Sequence, residues 1–229
     1  MTDVLDRPAP PPDRTVAYGT DPHQVADVWD NPGRPRVLFV HGGFWRAVHD
    51  RRHARPLAAD LAARGYAVTS VEYRRVGQPG GGWPGTLDDV ALAVDTFGAD
   101  VLVGHSAGGH LALWAGARRG IPVVALAPVA DVYDAYREGT GDGAVVGLLG
   151  GGPDEHPDRY AAAQPGDTRR AILVHGVEDD EVPVTQSRAY ARRTGAGIVE
   201  LPGTGHFEVI DPQSAVWSHV VHAISTLCS

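Results

Sequence analysis

Short apolar runs alternate with longer stretches of mixed polarity along this chain. Runs at 36–40, 67–72, 101–103, 123–127, 171–174 and 197–201, with a weaker one at 15–18, are rich in aliphatic and β-branched residues and predict strands. Between them, apolar residues return every three or four positions at 53–63, 87–96, 107–118, 185–193 and 214–227, the spacing of one helix face. The main strand runs are continuously apolar, which means burial on both faces. Such strands alternating with helices predict an α/β architecture: a mostly parallel central sheet with helices on both sides.

Two segments fall outside this alternation. Residues 77–85 (GQPGGGWPG) form a Gly/Pro loop around Trp83. Residues 131–167 carry Tyr133, Tyr136 and a glycine-rich stretch ending at Gly152, with room for one or two short helices. The start of the chain has prolines at 8, 10, 11 and 12 and no apolar core of a signal peptide. The expectation is a flexible Pro-rich tail over 1–14 and a single domain over 15–229.

Candidate chemistry clusters at the C-terminal ends of the strands, where ligands bind in such sheets. After the run at 101–103 comes Gly104-His105-Ser106-Ala107-Gly108, a G-x-S-x-G turn entering a helix. Glycines on both sides admit a sharp turn, and the helix start offers the N–H of Ala107 to a developing oxyanion. His41-Gly42-Gly43-Phe44-Trp45 follows the run at 36–40, and its glycines allow an amide of Gly43 or Phe44 to turn inward as a second donor. Four carboxylates, Glu178 to Glu181, follow the run at 171–174, and His206 lies in a small-residue loop after the run at 197–201. Trp45 and Phe207 neighbour this backbone, where they could line an aromatic pocket or pack in the core.

The chain resembles the α/β-hydrolases. The resemblance rests on GHSAGG, the run from His175 to Pro183 and GTGHF, in the chain order nucleophile, acid, base. It implies Ser106 as nucleophile, His206 as base and Asp179 as acid, with Asp180 the alternative. HGGFW is similar to the HGGxW signature of the arylformamidase (kynurenine formamidase) branch, where Phe44 replaces the third glycine of the related HGGG lipases. This implies a small or absent cap, a small ester or amide substrate such as N-formylkynurenine, and no cofactor. A general carboxylesterase, a biosynthetic thioesterase and a non-catalytic receptor of the same fold are the competing readings.

Composition narrows the partners. A formal charge of −8 argues against nucleic acid and anionic membranes. Cys228 is the one cysteine, so no intrachain disulfide can form. His49 with His53 and His219 with His222 have helical spacing but lack the glutamate or third ligand of a zinc site, so no metal is expected. A cytoplasmic protein is the resulting expectation.

Overall fold

Eight strands build one sheet: β1 (Arg14–Ala17), β2 (Val25–Trp29), β3 (Arg36–Val40), β4 (Ala67–Val71), β5 (Val101–His105), β6 (Val123–Leu126), β7 (Ala171–Gly176) and β8 (Gly197–Leu201). Their order is β1-β2-β4-β3-β5-β6-β7-β8. The β1–β2 and β2–β4 pairs are antiparallel, and every pairing from β4 to β8 is parallel. This computed structural model describes residues 4–168 and 170–228. Residues 1–3 of the expected N-terminal tail, and Ser229 at the end of the expected domain, lie outside the described residues.

Helices α1 (Arg55–Ala63) and α8 (Trp217–Leu227) cover one face of the sheet, and α2 (Gly85–Phe97), α3 (Ala107–Arg119) and α7 (Val184–Thr194) cover the other. The strand pleat explains the division, because successive side chains point to opposite faces. On β5, Val101 and Val103 join Leu57, Leu61 and Ile224 in one apolar cluster, while Leu102 joins Leu111 and Val90 in the other. Helix starts and stops follow local chemistry. Pro56 opens α1, and α3 ends where Gly120 takes a left-handed φ of 67° after Arg118 and Arg119.

Strand β2 was not expected from the sequence. Its Asp27 interrupts the apolar run, yet it is fully buried, held by Arg51, Arg55 and Thr15. The 131–167 segment holds three short helices where one or two were expected: α4 (Val132–Glu138), α5 (Thr140–Leu149) and α6 (Pro157–Ala163). Their apolar residues, among them Val132, Val145, Leu148 and Tyr160, belong to the core cluster of the α2–α3 face. The segment therefore packs on the body, and its residues Glu138 to Asp142 line a polar hollow that shares Phe44 and Glu181 with the pocket over Ser106. The N-terminal stretch also lies against the body, through the turn Val4–Asp6 and an ion pair from Arg7 to Asp211.

Candidate active site

The turn from β5 into α3 holds Ser106 at φ 55° and ψ −121°, a region a side chain rarely enters. Two glycines make the turn possible. A Cβ on Gly104 would lie 2.2 Å from the carbonyl oxygen of Gly108, and one on Gly108 would lie 2.1 Å from that of Val40. Only glycine lets the serine turn pack this closely under β3. The hydroxyl of Ser106 is buried and has no hydrogen-bond partner among the described residues. Ala107 is the first residue of α3, so its N–H has no acceptor within the helix.

The loop after β3 approaches from the other side. Gly43, Phe44 and Trp45 all take positive φ, at 111°, 53° and 57°. Such strain persists only where surroundings enforce it, and here the surroundings are a buried ionic network. His41 Nε2 lies 2.8 Å from Glu72 Oε1, its Nδ1 lies 2.7 Å from the carbonyl oxygen of Gly42, and its ring stacks on Tyr73. The other Glu72 oxygen accepts from the backbone N–H of Arg51 at 3.0 Å, and Arg75 Nη1 sits 3.0 Å from Oε1. Arg51 continues to Asp27 at 2.9 Å. Burial pushes the Glu72 carboxyl up, but His41, Arg75 and Arg51 outweigh it and bring it down to about 2. Sequence reading did not identify Glu72, Arg51 or Arg75 as supports of this loop.

The carboxylate and imidazole meet above β7 and β8. His206 Nδ1 is 2.7 Å from Asp179 Oδ2, while Asp180 is exposed. Asp179 is tied down from three further directions. Its Oδ1 accepts the backbone N–H groups of Glu181 and Val182 at 2.9 and 2.8 Å, and its Oδ2 lies 3.1 Å from His175 Nε2. Burial opposes ionisation, but the contacts with His175, His206 and Val182 hold this carboxyl well below the usual carboxylate range. His175 is anchored in turn by Ser187 Oγ, 2.7 Å from its Nδ1. His105 donates from Nε2 to the His206 carbonyl oxygen at 3.0 Å, which fixes the loop that carries the imidazole. Neither of these supporting histidines was assigned a tie to the acid or base from sequence.

Ser106, His206, Gly43, Phe44 and Phe207 line one pocket of about 170 Å³, together with Leu5, His49, His53, His105 and Glu181. Burial, with His41 adding, pushes His53 down to about 4, so a neutral ring forms part of the wall. Trp45, a candidate pocket residue from sequence, lies elsewhere. It is 1% exposed and packs edge-on against His110 in the core, where its large apolar ring is out of water. A second, more polar hollow of about 360 Å³ shares Phe44 and Glu181 with the first. Among the described residues, no group of three or more His, Cys, Asp or Glu is arranged to hold a metal, and no helix is long and apolar enough to cross a membrane.

The chain is similar to known esterases. Esterase LipC of Mycobacterium tuberculosis is 34% identical over 261 residues, which cover 93% of this chain and 63% of the relative. Esterase LipQ of the same organism is 28% identical over 242 residues, covering 83% and 56%. The chain thus spans less than two thirds of the length of these curated relatives. A solved structure described as a truncated form of carbohydrate esterase from gut microbiota matches at a TM-score of 0.75 and 20% identity, covering 96% of this chain and all of that one, which speaks to the fold. The family model described as BD-FAE matches residues 27–193. The chain belongs to the BD-FAE family, within the α/β-hydrolase superfamily.

Proposed function

We propose that this protein is a serine esterase that cleaves small carboxylic esters through Ser106, His206 and Asp179. The observation that carries this reading is the Asp179–His206 contact of 2.7 Å, beside a strained, buried Ser106 in the same pocket. Ser106 Oγ attacks the ester carbonyl carbon and its proton passes to His206 Nε2. Asp179 holds the imidazole through Nδ1 and stabilises the imidazolium. The N–H groups of Ala107 and of Gly43 or Phe44 receive the oxyanion. Collapse of the tetrahedral intermediate expels the alcohol, which takes the proton from His206. Water then repeats the sequence on the acyl-enzyme and releases the carboxylic acid.

Pocket size supports a small substrate. About 170 Å³ is below the roughly 300–1,000 Å³ typical of drug-sized ligand sites. The similarity of HGGFW to arylformamidases supports cleavage of N-formyl aryl amines by the same residues. The names of both curated relatives favour esters over amides. The test is a panel of formyl, acetyl and butyryl aryl esters and anilides, run beside labelling with a fluorophosphonate. Ester turnover with labelling at Ser106, falling at least about tenfold in kcat/KM from acetyl to butyryl, is the expected result. Faster turnover of formanilides than of esters would move the assignment to the amide reaction. Labelling at another serine, or no turnover of any substrate, would overturn the mechanism.

A further inference from the structure

One wall of the pocket over Ser106 comes from outside the catalytic elements. Leu5 lines it beside Phe44, His53 and Phe207. Leu5 belongs to the three-residue 3-10 turn Val4–Asp6, which packs beside the Arg51–Ala54 turn. Two further contacts help to hold it in position. Val4 and Leu5 pack, as Phe207 does, against the apolar cluster that contains Leu57 and Val209. Just after the turn, Arg7 Nη2 pairs with Asp211 Oδ2 at 2.6 Å, and Arg7 Nη1 donates to Gln213. Asp211 and Gln213 lie a few residues beyond His206, so the tether fastens the turn to the same loop region that carries the imidazole. The side chains of Arg7 and Asp211 are 17% and 10% exposed, so water screens this pair less than it screens a pair on the open surface.

We propose that Leu5 is a specificity-determining residue: it closes the pocket and sets the longest apolar chain that an ester can carry into it. This rests on the serine-esterase reading. The isobutyl group takes up room in a pocket of only about 170 Å³, so shortening it to a methyl opens space for a longer substrate chain. A single methylene in a tight pocket shifts kcat/KM by about 10–200-fold. The Arg7 tether fastens the chain just after the turn and so helps to keep the wall closed.

The test uses the full chain with two homologous series of esters, one lengthened on the acyl side and one on the alkoxy side, so that the responding series identifies the limb facing Leu5. The readout is the ratio of kcat/KM for hexyl-length to ethyl-length members, which is insensitive to how much enzyme is folded. Leu5→Ala is expected to raise that ratio at least about tenfold in one series, and Leu5→Trp to lower it. Arg7→Gln, which leaves the pocket lining untouched, should shift the ratio in the same direction as Leu5→Ala by a smaller factor. Ratios unchanged in both series for Leu5→Ala and Leu5→Trp, in a wild type that does hydrolyse esters, would overturn this proposal alone. A wild type inactive on every ester would instead overturn the esterase reading beneath it, and this proposal with it.

Discussion

Glu72→Gln tests whether the buried ionic network supports the loop proposed to offer an oxyanion donor. The substitution keeps side-chain shape and removes one charge. Glu72 is 2% exposed and faces His41, Arg51 and Arg75, all of them buried. Removing one partner of a buried ion pair costs about 3–5 kcal/mol, because the remaining charge loses both its partner and its water. Native stability is roughly 5–15 kcal/mol, so this is a large share. The lowered Glu72 carboxyl gives a second figure. The Glu72 carboxyl lies at about 2 in the folded protein against an ordinary 4.5. A folded value below the unfolded one stabilises fully above about pH 4.5, and that stability is lost as the pH falls toward 2. The gap between 4.5 and about 2, at about 1.4 kcal/mol per pH unit, is on the order of 3 kcal/mol. Urea unfolding at neutral pH should show a lower midpoint with an unchanged m-value. Repeated between pH 4.5 and 2, it should show a shallower acid loss in the variant than in the wild type. Ester turnover should fall in kcat more than it rises in KM, since the donors act on the transition state. A stability loss below about 1 kcal/mol, or an acid limb equally steep in both proteins, would refute the role given to this network.

Other substitutions separate the remaining roles. Ser106→Ala should abolish fluorophosphonate labelling and cost on the order of 10⁶ in kcat, and retained turnover would exclude Ser106 as nucleophile. Asp179→Asn should lower kcat by roughly 10⁴ through the wrong histidine tautomer, whereas Asp180→Asn, at an exposed carboxylate, should leave it within a few-fold; the opposite ranking would reassign the acid. The Asp179 carboxyl is held below its ordinary 3.8, so its contribution to stability is present above that pH and lost as the pH falls below it; Asp179→Asn should remove that part of the acid limb in a thermal melt. Gly108→Ala would drive a methyl to 2.1 Å from one backbone carbonyl oxygen and 2.3 Å from the next, so melting should fall by more than the roughly 1–3 kcal/mol of ordinary overpacking, and a variant as stable as wild type would show that the elbow can relax.

Legibility from sequence followed the physics of each element. The parallel strands were readable because burial on both faces leaves continuous aliphatic runs such as Val101-Leu102-Val103. Strand β2 was not, because Asp27 looks polar in one dimension and becomes a buried anion only when Arg51 and Arg55 reach it from outside the strand. The turn at Ser106 could be read because its glycines are local requirements. Asp179 and His206 could be read as a pair only through chain order, since the contact spans 27 residues. The supports stayed hidden for the same reason. Glu72 reaches His41 across 31 residues, His105 reaches His206 across 101, and no local pattern marks such pairings. Trp45 sits next to a glycine loop in sequence, but its ring packs in the core against His110, a contact across 65 residues that no local pattern marks. Leu5 lay in a stretch whose prolines read as a tail, and its packing depends on residues two hundred positions away.

The separation between Ser106 and His206 also has a consequence in time. Strand β5 pairs with β3 and β6, and the backbone hydrogen bonds and close contacts of the serine turn itself all fall on residues before 130. The imidazole arrives only with β8, an edge strand paired on one side to β7. During synthesis the N-terminal part emerges first, so a nascent chain presents its serine turn before His206, the proposed base, has been made. In the finished protein the same order runs in reverse. Edge elements open at lower free energy than central ones, so fraying of β8 and α8 would disconnect the proton relay while the serine turn stayed intact. Gentle heating should therefore abolish turnover at a temperature where the centre of the sheet is still folded.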